Sequence, residues 1–151
     1  MADITNLLNA LPSRYEFQQP IWYQTYVIDV TDPDFAGIEA IGTHELITVP
    51  EGMAVVLGHC FIEDSFTSGG AATVQLLAGT EALTGALALA DIAEGKTFEF
   101  LQGKGATDTQ SLYFKSAADT IDMTVAVADL TAGKIVMIVG FVDVNAVLTN
   151  G

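Results

Sequence analysis

The feature that most narrows what this chain can fold into is its last long apolar run, residues 134–144, KIVMIVGFVDV. Alternate side chains of a β-strand face opposite ways. Ile135, Met137, Val139 and Phe141 would share one face, and Val136, Ile138, Gly140 and Val142 the other. Neither set offers water a polar group before Asp143. An antiparallel strand with a solvated face alternates apolar and polar residues, whereas a strand apolar on both faces is covered on both. Residues 120–127 show the ordinary pattern, with Ile121, Met123, Val125 and Val127 on one face and Thr120, Asp122, Thr124 and Ala126 on the other. The terminal strand is therefore expected to close the core with one face and to meet a second layer or a second subunit with the other. Ile135, Val136, Met137, Ile138, Val139, Phe141 and Val142 form the candidate subunit-interface strand, the choice of face being open.

From residue 25 onward the chain reads as short strands divided by turn chemistry, such as Thr31-Asp32-Pro33-Asp34 and Pro50-Glu51-Gly52. Strands are expected over 26–30, 44–49, 54–63, 72–78, 97–101, 111–115, 119–127 and 134–144. In 44–49 the alternation favours Glu45, Ile47 and Val49 inward, with Glu45 at the strand mouth, and Gly58 marks a kink or bulge in the next strand. Phe98 and Phe100 share a face, and Leu112 and Phe114 repeat that pattern. Residues 84–93, TGALALADIA, suit either a helix or a strand with a bend. About eight or nine strands at roughly 8–12-residue spacing are the signature of a sandwich or barrel. The chain has 151 residues, enough for one domain with a real core. The expected fold is all-β, an antiparallel two-sheet sandwich of jelly-roll type over residues 25–151, preceded by an N-terminal arm over 1–24.

The arm differs from the rest. Asp3 suits an N-cap, and Ile4, Leu7, Leu8 and Leu11 recur at helical spacing until Pro12 ends the run. A helix of about two turns is marginal alone, so its apolar stripe needs a docking surface. An extended piece follows in which Tyr15, Phe17, Trp22 and Tyr23 flank Pro20. Such an arm either covers its own sandwich or anchors the protein to a neighbour, since large aromatics are enriched at interface hot spots. On the second reading these eight apolar and aromatic residues are the candidate contact arm.

Composition sharpens the list of partners. Nineteen acids against five bases give a net charge of −14. Nucleic-acid affinity comes mainly from Lys and Arg on phosphates, so a nucleic-acid partner is not expected; anionic membrane surfaces are disfavoured for the same reason. Charged residues make up only 16% of the chain and hydrophobic ones 50%. Monomers rarely expose large continuous apolar patches, so part of this excess is expected between subunits. The N-terminal residues lack the basic region and apolar core of a signal peptide, and no run approaches the ~20 apolar residues of a membrane helix. A soluble protein with no membrane partner is expected.

Motifs for chemistry come close and fail. Gly95-Lys96-Thr97 resembles the end of a phosphate-binding loop, but Ala90 stands where the earlier glycine is needed and a strand follows instead of a helix. Asp32, Asp34, Gly37 and Glu39 invite a calcium reading, yet Ala36 and Thr43 occupy two of the ligand positions of an EF-hand loop. His59 and Cys60 are adjacent on a strand and point to opposite faces, so they cannot act as a nucleophile–base pair. Cys60 is the only cysteine, which excludes an internal disulfide and a cysteine zinc site. No enzyme, cofactor or metal is expected.

One resemblance runs through residues 44–144. The order HELITVPEGMAVVLGHCFIE, then ATVQLLAG, then LYFKSAADTIDMTVAVADLTAGKIVMIVGFVDV resembles small β-sandwich structural proteins of tailed-phage virions, above all capsid decoration (cement) or auxiliary head proteins. The match lies in turns and strands: a strand–Pro–Glu–Gly–strand unit over 47–56, the Thr73 to Leu76 strand, the Tyr113 to Ile121 entry and the Thr-Ala-Gly-Lys turn. The resemblance implies a non-enzymatic virion component, a homotrimer bound to the major capsid protein on the capsid surface and assembled in the host cytoplasm. The arm would touch the capsid. A carbohydrate- or receptor-binding jelly-roll module of a tail or spike is the alternative.

Overall fold

The computed structural model describes residues 21–100 and 112–145. Nine strands lie among them: β1 (Trp22–Asp29), β2 (Gly42–Val49), β3 (Met53–Ser68), β4 (Thr73–Ala78), β5 (Glu81–Ala82), β6 (Leu87–Ala88), β7 (Thr97–Phe100), β8 (Asp119–Ala126) and β9 (Leu130–Asp143). They form two antiparallel sheets, one ordered β1-β9-β3-β7 and the other β2-β8-β4-β5 with β6 also on β4. In the first sheet the neighbours alternate between early and late segments of the chain, in the second the late β8 lies between β2 and β4, and the inner faces of the sheets enclose one core. This is the expected all-β sandwich.

The apolar terminal run is β9, and it lies between β1 and β3, where it has a partner on each side. Ile135, Met137, Val139 and Phe141 point into the core, none more than 4% exposed. Across from them Ile121, Met123 and Val125 of β8 close the same core, as the alternation required. The pattern fails one residue later. Val127 is 71% exposed and takes a positive φ of 74°, because the chain leaves β8 at Ala126 to turn into β9. A β-branched side chain in that region is strained.

Bulges account for other departures. In β2 the register shifts between Glu45 and Ile47, so Leu46 resets the alternation. Ile47 and Val49 are buried as expected, but Glu45 is exposed rather than inward. The strand expected over 54–63 is the first part of a longer β3, which continues to Ser68 through four register shifts against β9. Gly58 is not at a shift; the extra residue is Val56, and Gly58 stays paired with both Val139 and Phe100. Its missing side chain is what lets the Phe100 ring lie on the strand, since a Cβ there would fall 1.7 Å from Cζ of the ring.

Residues 84–93 form neither a full strand nor an α-helix: β6 gives way to a 3-10 turn over Leu89–Ile92, which buries Ile92 and is held by the Ala88 N–H donating to Asp91 Oδ2 at 3.2 Å. The expected strand over 111–115 survives as a bridge between Ala54 and Tyr113, with Leu112 and Phe114 half-buried against the core. β1 begins at Trp22, so Trp22 and Tyr23, expected in the arm, lie within the sandwich.

Candidate assembly interface

The two sheets differ on their outer sides. Residues paired across antiparallel strands share a face. On the second sheet that outer row carries Thr43, Thr48, Thr120, Thr124 and Gln75, a polar surface on which the Thr43 and Thr124 hydroxyls lie 2.8 Å apart, whereas Asp122, expected on the wet side, is buried at 9% exposure. The Asp122 carboxyl there titrates above its ordinary range: burial raises it, the Thr120 hydroxyl donating to it pulls it down, and the Glu45 and Asp119 carboxylates push it further up.

On the first sheet the pairing puts Tyr23, Thr25 and Val27 of β1 beside Gly140, Ile138 and Val136 of β9, and these beside Leu57, His59 and Phe61 of β3. The result is a largely apolar outer face. Tyr23 is 59% exposed, Val27 48% and Phe61 40%, while Val136, Ile138 and Val142 are half-buried. Gly140 forms a notch that Leu57 and Ile21 close from either side, for a Cβ there would meet their side chains at 2.7 and 2.9 Å. A polar contact interrupts the face, where His59 Nδ1 lies 3.2 Å from Glu99 Oε1. At its end Lys134 pairs with Asp29 and Asp64 on its two flanks. The Asp29 carboxyl is held below its ordinary range by hydrogen bonds from the Thr31 hydroxyl and N–H, with Lys134 adding to the effect.

Of the seven residues of the candidate interface strand, Ile135, Met137, Val139 and Phe141 are therefore core, and only Val136, Ile138 and Val142 lie on the outer face. Of the candidate arm, Trp22 and Tyr23 sit on opposite faces of β1, while Ile4, Leu7, Leu8, Leu11, Tyr15 and Phe17 lie outside the described residues. Trp22 and Tyr26 join Gln24, Thr48, Pro50, Met53 and Phe141 around a pocket of about 210 Å³ between β1 and the end of β2. Sequence reasoning missed this pocket because its walls come from three separated segments.

No family model matches the chain, and no curated protein matches it. Solved structures of similar shape include two phage capsid chains. One is a chain from the acidic stable capsid structure of Helicobacter pylori bacteriophage KHP30, 14% identical, with 82% of this chain and 89% of that one covered and a TM-score of 0.43. The other comes from the capsid of Ralstonia phage GP4, 19% identical, with 81% and 84% covered and a TM-score of 0.46. A likeness this loose carries no functional weight.

The residues that invited chemistry have structural duties. Asp32 accepts from the Asp34 N–H at 2.9 Å and caps the 3-10 turn Pro33–Phe35, and Glu39 accepts from the Gly37 N–H at 2.9 Å. Among the described residues no group of three or more His, Cys, Asp or Glu is placed to hold a metal. Gly95 and Lys96 extend the backbone ladder to Ile62 of β3. Burial pushes the Cys60 thiol up to about 12, so it behaves as a small core hydrophobe. His44 Nε2 lies 2.7 Å from the Ala40 carbonyl, in contact with backbone rather than with a nucleophile.

Proposed function

We propose that this chain is a structural component of a tailed-phage virion, a decoration or cement protein that binds the outside of the capsid as a homotrimer and stabilises contacts between capsomers. The observation that carries the reading is the apolar outer face of the β1-β9-β3-β7 sheet on a chain of charge −14. Exposed apolar surface of this kind marks an interaction site, while the net charge keeps unassembled copies apart. Val136, Ile138 and Val142 with Tyr23, Val27 and Phe61 form the subunit contact, and residues 1–20 reach the major capsid protein. The resemblance to phage head proteins in strand order and turns agrees with this, as does the late strand set between two early ones in each sheet, which we read as a jelly roll. The role is mechanical rather than catalytic.

The test is co-sedimentation with capsids that lack the protein. Wild-type chain should pellet with them and be trimeric by light scattering. Val136→Glu combined with Ile138→Glu should leave a folded protein that no longer forms the trimer or clamps the shell, and deletion of residues 1–20 should weaken capsid binding without unfolding the sandwich. A protein that stays in the supernatant, or that binds equally well as a monomer, refutes the reading.

The pocket beside Trp22 favours a second reading, a carbohydrate-binding module of a tail or spike. Aromatic walls at Trp22 and Tyr26 with polar Gln24 and Thr48 suit stacking on a sugar with hydrogen bonds to its hydroxyls. A glycan array decides it: binding that is lost in Trp22→Ala supports this reading.

A further inference from the structure

The sheet edges are unequally protected. Exposed strand edges template pairing with other chains, and proteins blunt them with charges, prolines, bulges or short length. The edge strand β7 is only four residues long and carries Glu99. The edge strand β2 is broken by its bulge at Leu46 and carries Glu45. β1 has none of these devices. Its eight residues, WYQTYVID, pair with β9 in unbroken register, contain no proline, and are uncharged until Asp29; among the described residues nothing pairs with its other edge.

We propose that this edge is a docking site for a second copy of the chain, β1 to β1, antiparallel about a two-fold axis through Thr25. Register and charge choose the occupant. In a continuous sheet, paired residues must lie on the same face, which permits an axis only at a residue position. An axis at Gln24 shortens the ladder to residues 22–26, because β1 begins at Trp22. An axis at Tyr26 sets Asp29 against the partner's Tyr23. At Thr25 the ladder uses only residues 22–28, all uncharged. Tyr23 then faces the partner's Val27, Thr25 faces the partner's Thr25, and Trp22 faces the partner's Ile28. Aromatic with β-branched and Thr with Thr are favourable cross-strand pairs. The two Asp29 carboxylates end up about 27 Å apart, at ~3.4 Å per residue, beyond the range over which such charges repel in physiological salt. Two copies so joined share one eight-stranded sheet. The partner's Ile28 covers the exposed flank of Trp22, and the two outer faces merge. This contact is separate from the outer-face contact proposed above and does not depend on it.

The experiment is cross-linking of the full chain carrying Thr25→Cys. Directly opposed residues in antiparallel strands have Cα atoms about 4.5–5.5 Å apart, within disulfide reach. Cys60 is fully buried and does not compete. Under mild oxidation a covalent dimer should form on the order of a hundredfold faster than in Thr80→Cys, a control in the exposed turn after β4 and away from both proposed contacts, because opposed thiols react at an effective concentration far above that of the free protein. Adding Val136→Glu, which breaks the outer-face contact, should leave the cross-link intact. Cross-linking no faster than the control, or lost with Val136→Glu, overturns the proposal. In wild-type protein, amide exchange over residues 22–28 should slow as concentration is raised; exchange independent of concentration overturns it equally.

Discussion

Gly58→Ala tests the account of the core most sharply, because the added atom has a named obstacle. Its Cβ would stand 1.7, 2.0 and 2.2 Å from three atoms of the Phe100 ring. Real carbon contacts lie near 3.5–4.0 Å, so the ring must move by well over an ångström. It has nowhere to go: Phe100 is 1% exposed, in the interior of the sandwich. Overpacking alone costs about 1–3 kcal/mol. Expelling the ring altogether would approach the ~3–5 kcal/mol of a buried Phe→Ala change. The expected loss is therefore about 2–4 kcal/mol, between those limits. Urea denaturation of Gly58→Ala, Phe100→Ala and the double variant measures it. Once the ring is removed the new methyl meets open space, and Ala is favoured over Gly within a strand by roughly 0.5–1 kcal/mol. Gly58→Ala should then stabilise the Phe100→Ala background, reversing its sign. Additive effects in the double variant would refute the idea that Gly58 exists to seat Phe100.

Val127→Gly should raise the melting temperature, since a non-glycine residue in the left-handed region costs roughly 1–2 kcal/mol and the exposed side chain loses little by leaving; an unchanged or lower melting point counts against the strain. Asp122→Asn should stabilise the protein at neutral pH. The folded carboxyl titrates above its ordinary range, so wild-type stability rises as pH falls through the folded pKa, and the advantage of the Asn variant should vanish below the unfolded value. Asp29 has the opposite sign: its lowered pKa supplies stability above the unfolded value that is lost as pH falls through the folded one, and Thr31→Ala should flatten that acid limb of the melting curve. Cys60 should resist thiol reagents at pH 8 until denaturant is added, and rapid labelling of native protein would contradict its burial.

Much of this fold was legible wherever a strand held strict alternation. Ile121, Met123 and Val125 announced their face, and the row Ile135, Met137, Val139 and Phe141 of β9 announced its place in the core. Alternation cannot reveal a bulge, because the extra residue has no mark of its own. That is why Glu45 was expected inside and why the shift beside Val56 was placed at Gly58 instead. The run ending at Val127 looked one residue too long for the same kind of reason: chain reversal depends on backbone angles, which a valine conceals. The apolar face was legible as a need for cover, but not which of its two rows needed it. That depended on where the second sheet lies, and so did the pocket beside Trp22, whose walls meet only after residues 22–26, 48–53 and 141 are brought together.

The pairing of β1 with β9 ties residue 22 to residue 141. During synthesis β1 therefore waits, with no sheet neighbour to receive it, until more than a hundred further residues have been made and β9 has left the ribosome. Long-range pairings of this kind slow folding. A message truncated before codon 130 would yield no stable fragment, because both flanks of the sheet would have lost the plank between them. The cell thus receives either a closed sandwich or material for its proteases, and nothing in between.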